Sequence, residues 1–176
     1  MRLKYIVYYL ILMFSNCTPA LAQSTARVVR VKDGDTYVFR SGARVFTVRL
    51  TKVDAPEMKQ AFGFTAYQCV NQLLTGKAVE YDSVGKDLYG RVLVSVKLDG
   101  KRLDSLLIRN GWAWHYIAYD TETMLDNLMN EAIMTHSGLW ACGVNHVCPP
   151  WLYRSYNERN RAKYCKGCTN YLLTQK

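Results

Sequence analysis

Alternating apolar and polar residues, together with β-branched runs bounded by turn residues, predict five short β-strands in the first hundred residues of the chain. The clearest is Arg44–Val53, in which Phe46, Val48 and Leu50 share one face, as in a strand with one buried side. Asp33-Gly34-Asp35 separates two β-branched runs and predicts a hairpin turn. The other predicted strands are Ala26–Lys32, Thr36–Phe39, Ala78–Val84 and Arg91–Leu98.

Helical spacing of apolar residues follows the third predicted strand. Positions 62, 66, 69, 70, 73 and 74 are apolar and predict a helix over Phe62–Leu74, and two more helices are predicted over Leu103–Asn110 and Leu125–Thr135. The predicted order is therefore β-β-β-α-β-β-α-α. Five strands with a helix between the third and the fourth are typical of the OB-fold, which binds oligonucleotides. We predict an α+β protein, mainly a β barrel, with five strands and three helices.

Composition and charge narrow the class of protein and the kind of partner. Apolar residues make up 49% of the 176 residues and charged residues 21%, which is globular composition and excludes wholesale disorder. The net charge is +9. An excess of this size favours polyanionic partners, either nucleic acid or an anionic membrane, and does not choose between them.

The first 22 residues have the pattern of a secretory signal peptide. Arg2 and Lys4 form a basic start, Tyr5–Phe14 is an apolar segment, and Ala20-Leu21-Ala22 resembles a cleavage site. We expect residues 1–22 to be removed and the mature protein to be periplasmic or secreted. The alternative is an uncleaved anchor, although ten apolar residues are too few to span a bilayer core of about 30 Å. No apolar stretch of membrane-spanning length follows, so no integral span is expected after cleavage.

The composition changes near Ala141, after which no periodicity is clear. We place a boundary there, between a domain over residues 23–140 and a cysteine-rich, basic extension over 141–176. In an exported protein such cysteines favour disulfides, whose pairing the sequence leaves open. A zinc site that includes His146 is the alternative. The disulfide candidates are Cys142, Cys148, Cys165 and Cys168, and the basic residues of the extension are Arg154, Arg159, Arg161, Lys163, Lys166 and Lys176.

One further cysteine, Cys69, lies on the apolar face of the first predicted helix. We expect it to be a buried free thiol, because free cysteine behaves as a small apolar residue. The alternative is a disulfide between Cys69 and a cysteine of the extension.

Acidic residues and arginines recur at the predicted turns and strand ends. Carboxylates in such positions can supply oxygen ligands for a hard cation such as Ca²⁺, and guanidinium groups match pairs of phosphate oxygens. A cation, two arginines and a remaining carboxylate suit phosphodiester hydrolysis, because charge grows on the phosphate oxygens and a water must be oriented or deprotonated. Each motif alone is more often a plain turn or a solvated side chain. The residues concerned are Asp33, Asp35, Asp54, Glu57, Arg49 and Arg91.

Several short motifs follow one another in a fixed order: Val31–Thr36, Val48–Leu50, Val53–Glu57, Asp87–Arg91, Asp99–Lys101, Leu107–Ala113, Glu131-Ala132 and Gly138–Trp140. Taken together they resemble the staphylococcal nuclease family, over about Ala26–Trp140. The resemblance implies an OB-fold barrel with three helices and a Ca²⁺-dependent phosphodiesterase that acts on DNA and RNA. It also implies that water attacks phosphorus, the 5′-oxygen leaves, and the products carry 3′-phosphates.

The resemblance assigns roles to individual residues. Asp35 and Asp54 match carboxylates that bind the metal, and the backbone carbonyl of Ala55 matches a third ligand. Glu57 matches the general base or water-orienting carboxylate. The phosphate-binding pair of catalytic arginines is matched by Arg49 and Arg91.

Three further residues are expected to bind the substrate. Tyr89 matches a tyrosine that contacts a substrate phosphate in the family. Lys59 lies in the short loop after Glu57 and is a substitute for, rather than an equivalent of, a lysine found there in longer members. In the aromatic run over residues 112–119 we expect the tryptophans to pack in the core and Tyr119 to bind a base.

These observations together predict an exported, monomeric nuclease that uses Ca²⁺ and acts on DNA and RNA, as single strands or locally melted duplexes. The first alternative is a non-catalytic OB-fold module of the cell envelope that binds nucleic acid or protein, although such modules usually lose the acidic and arginine residues kept here. The second is an envelope component tethered by uncleaved residues 1–22. For the basic extension, a nucleic-acid surface and a solvated cap over the barrel are equally open.

Overall fold

The computed structural model describes residues 24–118 and 120–167 of the chain. The predicted signal peptide over 1–22, Tyr119 and Cys168 lie outside these residues. Within the described ranges no helix has both the length and the apolar character needed to cross a bilayer. The strands are β1 Ser24–Val31, β2 Thr36–Ser41, β3 Arg44–Leu50, β4 Val53–Asp54, β5 Ala78–Lys86, β6 Val92–Leu98, β7 Lys101–Arg102 and β8 Trp114–His115. The α-helices are α1 Gly63–Leu74, α2 Leu103–Arg109, α3 Thr123–Met134, α4 Pro150–Ser155 and α5 Glu158–Tyr164, with 3-10 turns at Gly138–Trp140 and Val144–His146.

Five strands close into a barrel. β1 pairs antiparallel with β2 and β5, β2 pairs with β3, and β5 pairs with β6. Parallel pairing of β3 with β6 completes the ring. In β6, buried Val92, Val94, Val96 and Leu98 alternate with half-exposed residues, so one face of the strand fills the barrel. This mixed barrel with its helices is the OB-fold α+β architecture, and the predicted fold class is confirmed.

The barrel core includes aromatic side chains that tie a loop to it. Tyr37 and Phe39 are completely buried, with ring centroids 6.4 Å apart. A buried phenol needs a hydrogen-bond partner, and the Tyr37 hydroxyl donates to the carbonyl of Gly34 at 2.9 Å. This bond fixes the turn before β2, which carries Asp35.

The predicted strand over Arg44–Val53 extends too far. β3 ends at Leu50, and after a bend β4 pairs antiparallel with β8. The bend is held where the N–H of Thr51 donates to the carbonyl of Val94 at 3.2 Å. Alternation cannot reveal a two-residue strand, because one such pair has no measurable period. The short β4–β8 pairing places Asp54 at the end of the barrel.

The extension folds against the barrel domain through aromatic contacts. In α4, Trp151 lies edge-on to Trp114 with centroids 5.5 Å apart and stacks on Tyr116 at 5.9 Å. A disulfide joins Cys148, just before α4, to Cys165, just after α5. Helices of six and seven residues are too short to produce an apolar period, which is why the sequence predicts none here.

The remaining cysteines of the described residues differ in state. Cys142 is also disulfide-bonded. Cys69 is a free, half-buried thiol, and burial raises its pKa. Since Cys148 and Cys165 are joined to each other, these two sulfurs are not available as the zinc ligands of the alternative prediction.

Candidate active site

Two loops meet at one end of the barrel and bring Asp35 beside Ala55. The loops approach so closely at Gly34 that a side chain would not fit, because a Cβ at this position would lie 2.5 Å from the Cβ of Ala55. The close approach lets the N–H of Ala55 donate to Oδ2 of Asp35 at 2.7 Å. The turn itself is shaped by Asp33, whose Oδ1 accepts the N–H of Asp35 at 3.1 Å. Two motifs twenty residues apart thus form one site.

Arg49, in β3, joins the two buried aspartates. Its Nη1 donates to Oδ1 of Asp35, and its Nη2 donates to Oδ1 of Asp54 at 2.8 Å. The aspartate side chains are 3% and 0% exposed, against 16% for Arg49. One guanidinium can reach both carboxylates only if they are neighbours. The structure therefore brings together three residues that the sequence places on three different elements.

Arg91 reaches the same cluster from the loop between β5 and β6. Its Nε donates to Oδ2 of Asp87 at 2.6 Å, and its Nη1 donates to Oγ1 of Thr36 at 3.4 Å. The Thr36 hydroxyl in turn donates to Oδ1 of Asp35 at 3.1 Å. The Arg91 guanidinium also lies 5.4 Å from the ring centroid of Tyr89, which is 86% exposed. An exposed ring beside an arginine is well placed to meet a ligand from solvent.

Glu57 lies in the loop that leads to α1. The side-chain carbonyl of Gln60 accepts the N–H of Glu57 at 3.1 Å, and the N–H of Gln60 donates to the Glu57 carbonyl at 2.7 Å. This reciprocal pair fixes the backbone, while the Glu57 side chain is 41% exposed and open to water. Lys59, on the same loop, is exposed, and its backbone carbonyl accepts the hydroxyl of Tyr153 at 3.2 Å.

An arginine to which the sequence assigns no role completes the cluster. Arg154, in α4, donates from Nη1 to Oε1 of Glu57 at 2.9 Å and to Oδ1 of Asp54 at 3.1 Å. Its Nη2 donates to Oδ2 of Asp54 at 2.7 Å. Arg154 and Asp54 are 100 positions apart in the sequence, so no local motif connects them. The only sequence signal is the basic character of the extension, which does not distinguish Arg154 from its neighbours.

Burial and crowded negative charge shift the pKa values of the cluster. Burial and then the neighbouring Asp35 carboxylate raise the pKa of Asp33 to about 7. Burial also raises the pKa of Asp54, although hydrogen bonds from Arg154 oppose this shift. Burial works against the charge on Arg49, but the carboxylates of Asp35 and Asp54 outweigh it and raise the pKa of Arg49. The guanidinium groups therefore remain charged and hold the carboxylates together.

The donor atoms of this cluster suit a hard divalent cation. Ca²⁺ prefers carboxylate and carbonyl oxygens and completes its shell with water. Asp35 and Asp54 offer buried carboxylates within the span of one guanidinium. Among the described residues no three or more acidic, histidine or cysteine side chains are grouped to hold a metal ion. A cation here would therefore rely on two carboxylates, with a backbone carbonyl such as that of Ala55 and water completing the shell.

The aromatic run after α2 belongs largely to the core. Trp114 lies edge-on to Trp140 with centroids 4.4 Å apart, and Trp112 packs partly buried against the core. His115 is completely buried, and its ring nitrogens lie 2.6 Å from Oδ1 of Asp126 and 3.1 Å from Oδ2 of Asp120. These side chains support the site rather than line it.

Fold and site together define a class of protein: an OB-fold barrel with buried carboxylates and arginines at one end, a combination suited to phosphate esters. The family model described as "Staphylococcal nuclease homologue" matches residues 47–142, more than half of the chain. The chain belongs to the staphylococcal nuclease family, and the predicted family is confirmed.

Several of the curated relatives that the chain resembles carry nuclease names. The chain is 36% identical over 149 residues to an "Uncharacterized endonuclease" of Escherichia coli, which covers 84% of this chain and 96% of the relative. It is 30% identical over 161 residues to a protein of the same name from Haemophilus influenzae, covering 90% and 89%. It is 33% identical over 117 residues to "Staphylococcal-like nuclease CAN1" of Arabidopsis thaliana, covering 66% and 35%. These relatives support a nuclease, that is, a hydrolase acting on nucleic acids.

Proposed function

We propose that this protein is an exported, Ca²⁺-dependent nuclease that hydrolyses DNA and RNA and leaves 3′-phosphates. The observation that carries the proposal is the bridge from Arg49 to Asp35 and Asp54, which gathers cation ligands and a phosphate-binding group in one place. Membership of the staphylococcal nuclease family and the names of the relatives support the reaction class.

Asp35 and Asp54, with the carbonyl of Ala55, are the residues that would hold the cation. A bound Ca²⁺ ion supplies positive charge to the phosphate oxygens. The chain's own part is to keep the carboxylates buried and adjacent, which the Ala55 N–H and Arg49 do through their hydrogen bonds. Preorganised groups of this kind lower the barrier because they need not reorient as charge develops.

Arg49 and Arg91 are assigned to the phosphate oxygens, since each presents a planar set of donors that two oxygens can accept. Glu57 is assigned to the attacking water, because its carboxylate is the exposed one of the three acids. The bond from phosphorus to the 5′-oxygen breaks, so the phosphate remains on the 3′ side. Tyr89 is assigned to the substrate because it is exposed beside Arg91, and Tyr119 and Lys59 remain proposed contacts.

Export is proposed from the N-terminal pattern over residues 1–22. A disulfide between Cys148 and Cys165 supports it, because disulfides persist in oxidising compartments. An N-terminal sequence of the natural protein tests this part: a chain beginning near Gln23 is expected, and one beginning at Met1 would favour a tethered protein.

The reaction is tested by incubating mature protein with 5′-labelled single-stranded DNA or RNA in Ca²⁺ or in EGTA. We expect cleavage in Ca²⁺ and none in EGTA. The mobility of the products should change when a 3′-phosphatase removes their terminal phosphate. Binding without cleavage under every divalent cation tried would favour the non-catalytic module instead.

The assigned residues are tested one at a time. Arg49→Ala, Glu57→Ala and Arg91→Ala should each lower turnover by a factor on the order of 10² or more, as expected for groups that stabilise developing charge. Arg40→Ala, an exposed arginine in β2, is the matched control and should retain activity. Unchanged turnover in all three variants would refute the mechanism.

A further inference from the structure

Arg154 is hydrogen-bonded to the carboxylate oxygen atoms that a cation at this site would need as ligands. Its two terminal nitrogens contact both carboxylate oxygens of Asp54, at 3.1 and 2.7 Å. The same guanidinium holds Oε1 of Glu57 at 2.9 Å. Two of the carboxylates assigned to the reaction are therefore engaged by one positive charge from outside the barrel domain.

Contacts within and around the extension hold the helix that carries Arg154. In the same helix as Arg154, the ring of Trp151 packs against Trp114 and Tyr116. Arg161 fastens the same helix from α5, since its Nε donates to the carbonyl of Tyr153 at 2.7 Å and its Nη2 to that of Arg154 at 3.4 Å.

The extension is also fastened to the loop that carries Glu57. The side-chain amide of Gln60 donates to the carbonyl of Cys148, and the hydroxyl of Tyr153 donates to the carbonyl of Lys59. The disulfide between Cys148 and Cys165 closes the segment that contains α4 and α5. These contacts fix the backbone of α4 beside the acids that the Arg154 side chain reaches.

Arg154 and Arg49 differ in how easily they can leave. The Arg154 side chain is 42% exposed, so its guanidinium can turn from the acids into water, where it is hydrated. Arg49 is 16% exposed and bonded to both Asp35 and Asp54 within the barrel end. A divalent cation that approaches Asp54 would displace the exposed guanidinium and leave the buried one.

We propose that Arg154 is an autoinhibitory plug: it occupies the carboxylate of Asp54 in the cation-free protein and must leave that carboxylate before a divalent cation binds. This inference rests on the proposed function and concerns the regulation of the same site. The apparent dissociation constant for the cation then equals the intrinsic constant divided by the fraction of molecules in which Asp54 is uncovered, so the plug weakens binding. The plug also engages Oε1 of Glu57 until the cation arrives.

The test is titration calorimetry of Ca²⁺ into three full-length mature proteins without substrate. Arg154→Gln should bind Ca²⁺ about tenfold more tightly than wild type, or more, which is the effect of removing one charge-assisted hydrogen-bonded pair. Arg159→Gln is the matched control, because it removes one exposed arginine of α5 with the same change in net charge, and it should bind as wild type does. Thermal unfolding without Ca²⁺ confirms that all three proteins are folded.

Cleavage assays across a Ca²⁺ series separate the two proposals. If Arg154 is the plug, Arg154→Gln reaches half-maximal activity at a lower Ca²⁺ concentration than wild type and keeps the maximal rate. Equal Ca²⁺ affinity in wild type and Arg154→Gln would overturn the plug while leaving the nuclease intact. Loss of the maximal rate with unchanged Ca²⁺ affinity would make Arg154 a substrate-binding arginine and also overturn the plug. If no protein binds Ca²⁺ or cleaves DNA, the proposed function fails and the plug fails with it.

Discussion

Gly34→Ala should separate the two loops that form the site. The new Cβ would lie 2.5 Å from the Cβ of Ala55, whereas carbon atoms pack at about 3.5–4.0 Å, so the loops must part by about 1 Å. Gly34 does not have a positive φ, so alanine adds no backbone strain of its own. The expected cost is that of overpacking, about 1–3 kcal/mol of unfolding free energy.

The same movement should damage the site. The Ala55 N–H now reaches Oδ2 of Asp35 at 2.7 Å, and a shift of about 1 Å takes this pair beyond hydrogen-bond distance. Misplacement of a reacting constellation by that amount can cost on the order of 10² in rate. Urea unfolding measures the stability, and the Ca²⁺-dependent cleavage assay measures the activity.

A double variant tests whether the collision itself is the cause. Ala55→Gly removes the atom that the new Cβ meets and keeps the N–H that binds Asp35, so Gly34→Ala/Ala55→Gly should recover stability and rate compared with Gly34→Ala. In a double-mutant cycle the coupling between the two positions should favour the pair by about 1 kcal/mol or more. The reasoning is refuted if Gly34→Ala is as stable and active as wild type, or if Ala55→Gly does nothing to relieve it.

Two further predictions concern stability away from the barrel end. Hydrogen bonds from Arg102 and then Lys52 lower the pKa of Glu122 to about 2 from 4.5, so its contribution is complete above pH 4.5 and is lost as the pH falls towards 2. The free energy of unfolding measured in urea should therefore fall by about 1 kcal/mol through this group on acidification, after allowance for solvent screening. Glu122→Gln should remove that part of the pH dependence. Replacing Cys148 and Cys165 together by serine should cost about 3 kcal/mol, because the bond closes a loop with a sequence separation of 17. An unchanged thermal midpoint in this double variant would show that the Cys148–Cys165 bond adds nothing to the stability of the fold.

Local patterns in the sequence were sufficient to predict the strands of the barrel. The alternating pattern in β3 and β6 reflects burial of one strand face, and the turn at Asp33-Gly34-Asp35 reflects a backbone reversal; both leave a direct trace in the sequence. The short β4–β8 pairing and the helices α4 and α5 leave no such trace because they span less than one readable period.

The site shows the same division between local and distant information. Asp35, Asp54 and Arg49 lie in short motifs of fixed order, so the sequence could propose them together before any distance was known. Arg154 carries the same charge as its neighbours in the extension, and what distinguishes it is the seating of Trp151 on Trp114. That contact is a product of tertiary packing between distant segments, which a reading of local motifs cannot supply.

The position of Arg154 has a consequence for how chemistry and control are divided in this protein. The family match ends at residue 142, whereas Arg154 lies beyond it in α4. A barrel domain can keep its acids and arginines unchanged while an added segment sets the cation concentration at which they act. Buried carboxylates in close proximity require positive charge beside them, and in this chain a guanidinium from the extension provides it when no cation does. On this view, changes in the extension would shift the cation requirement and leave the reaction itself intact.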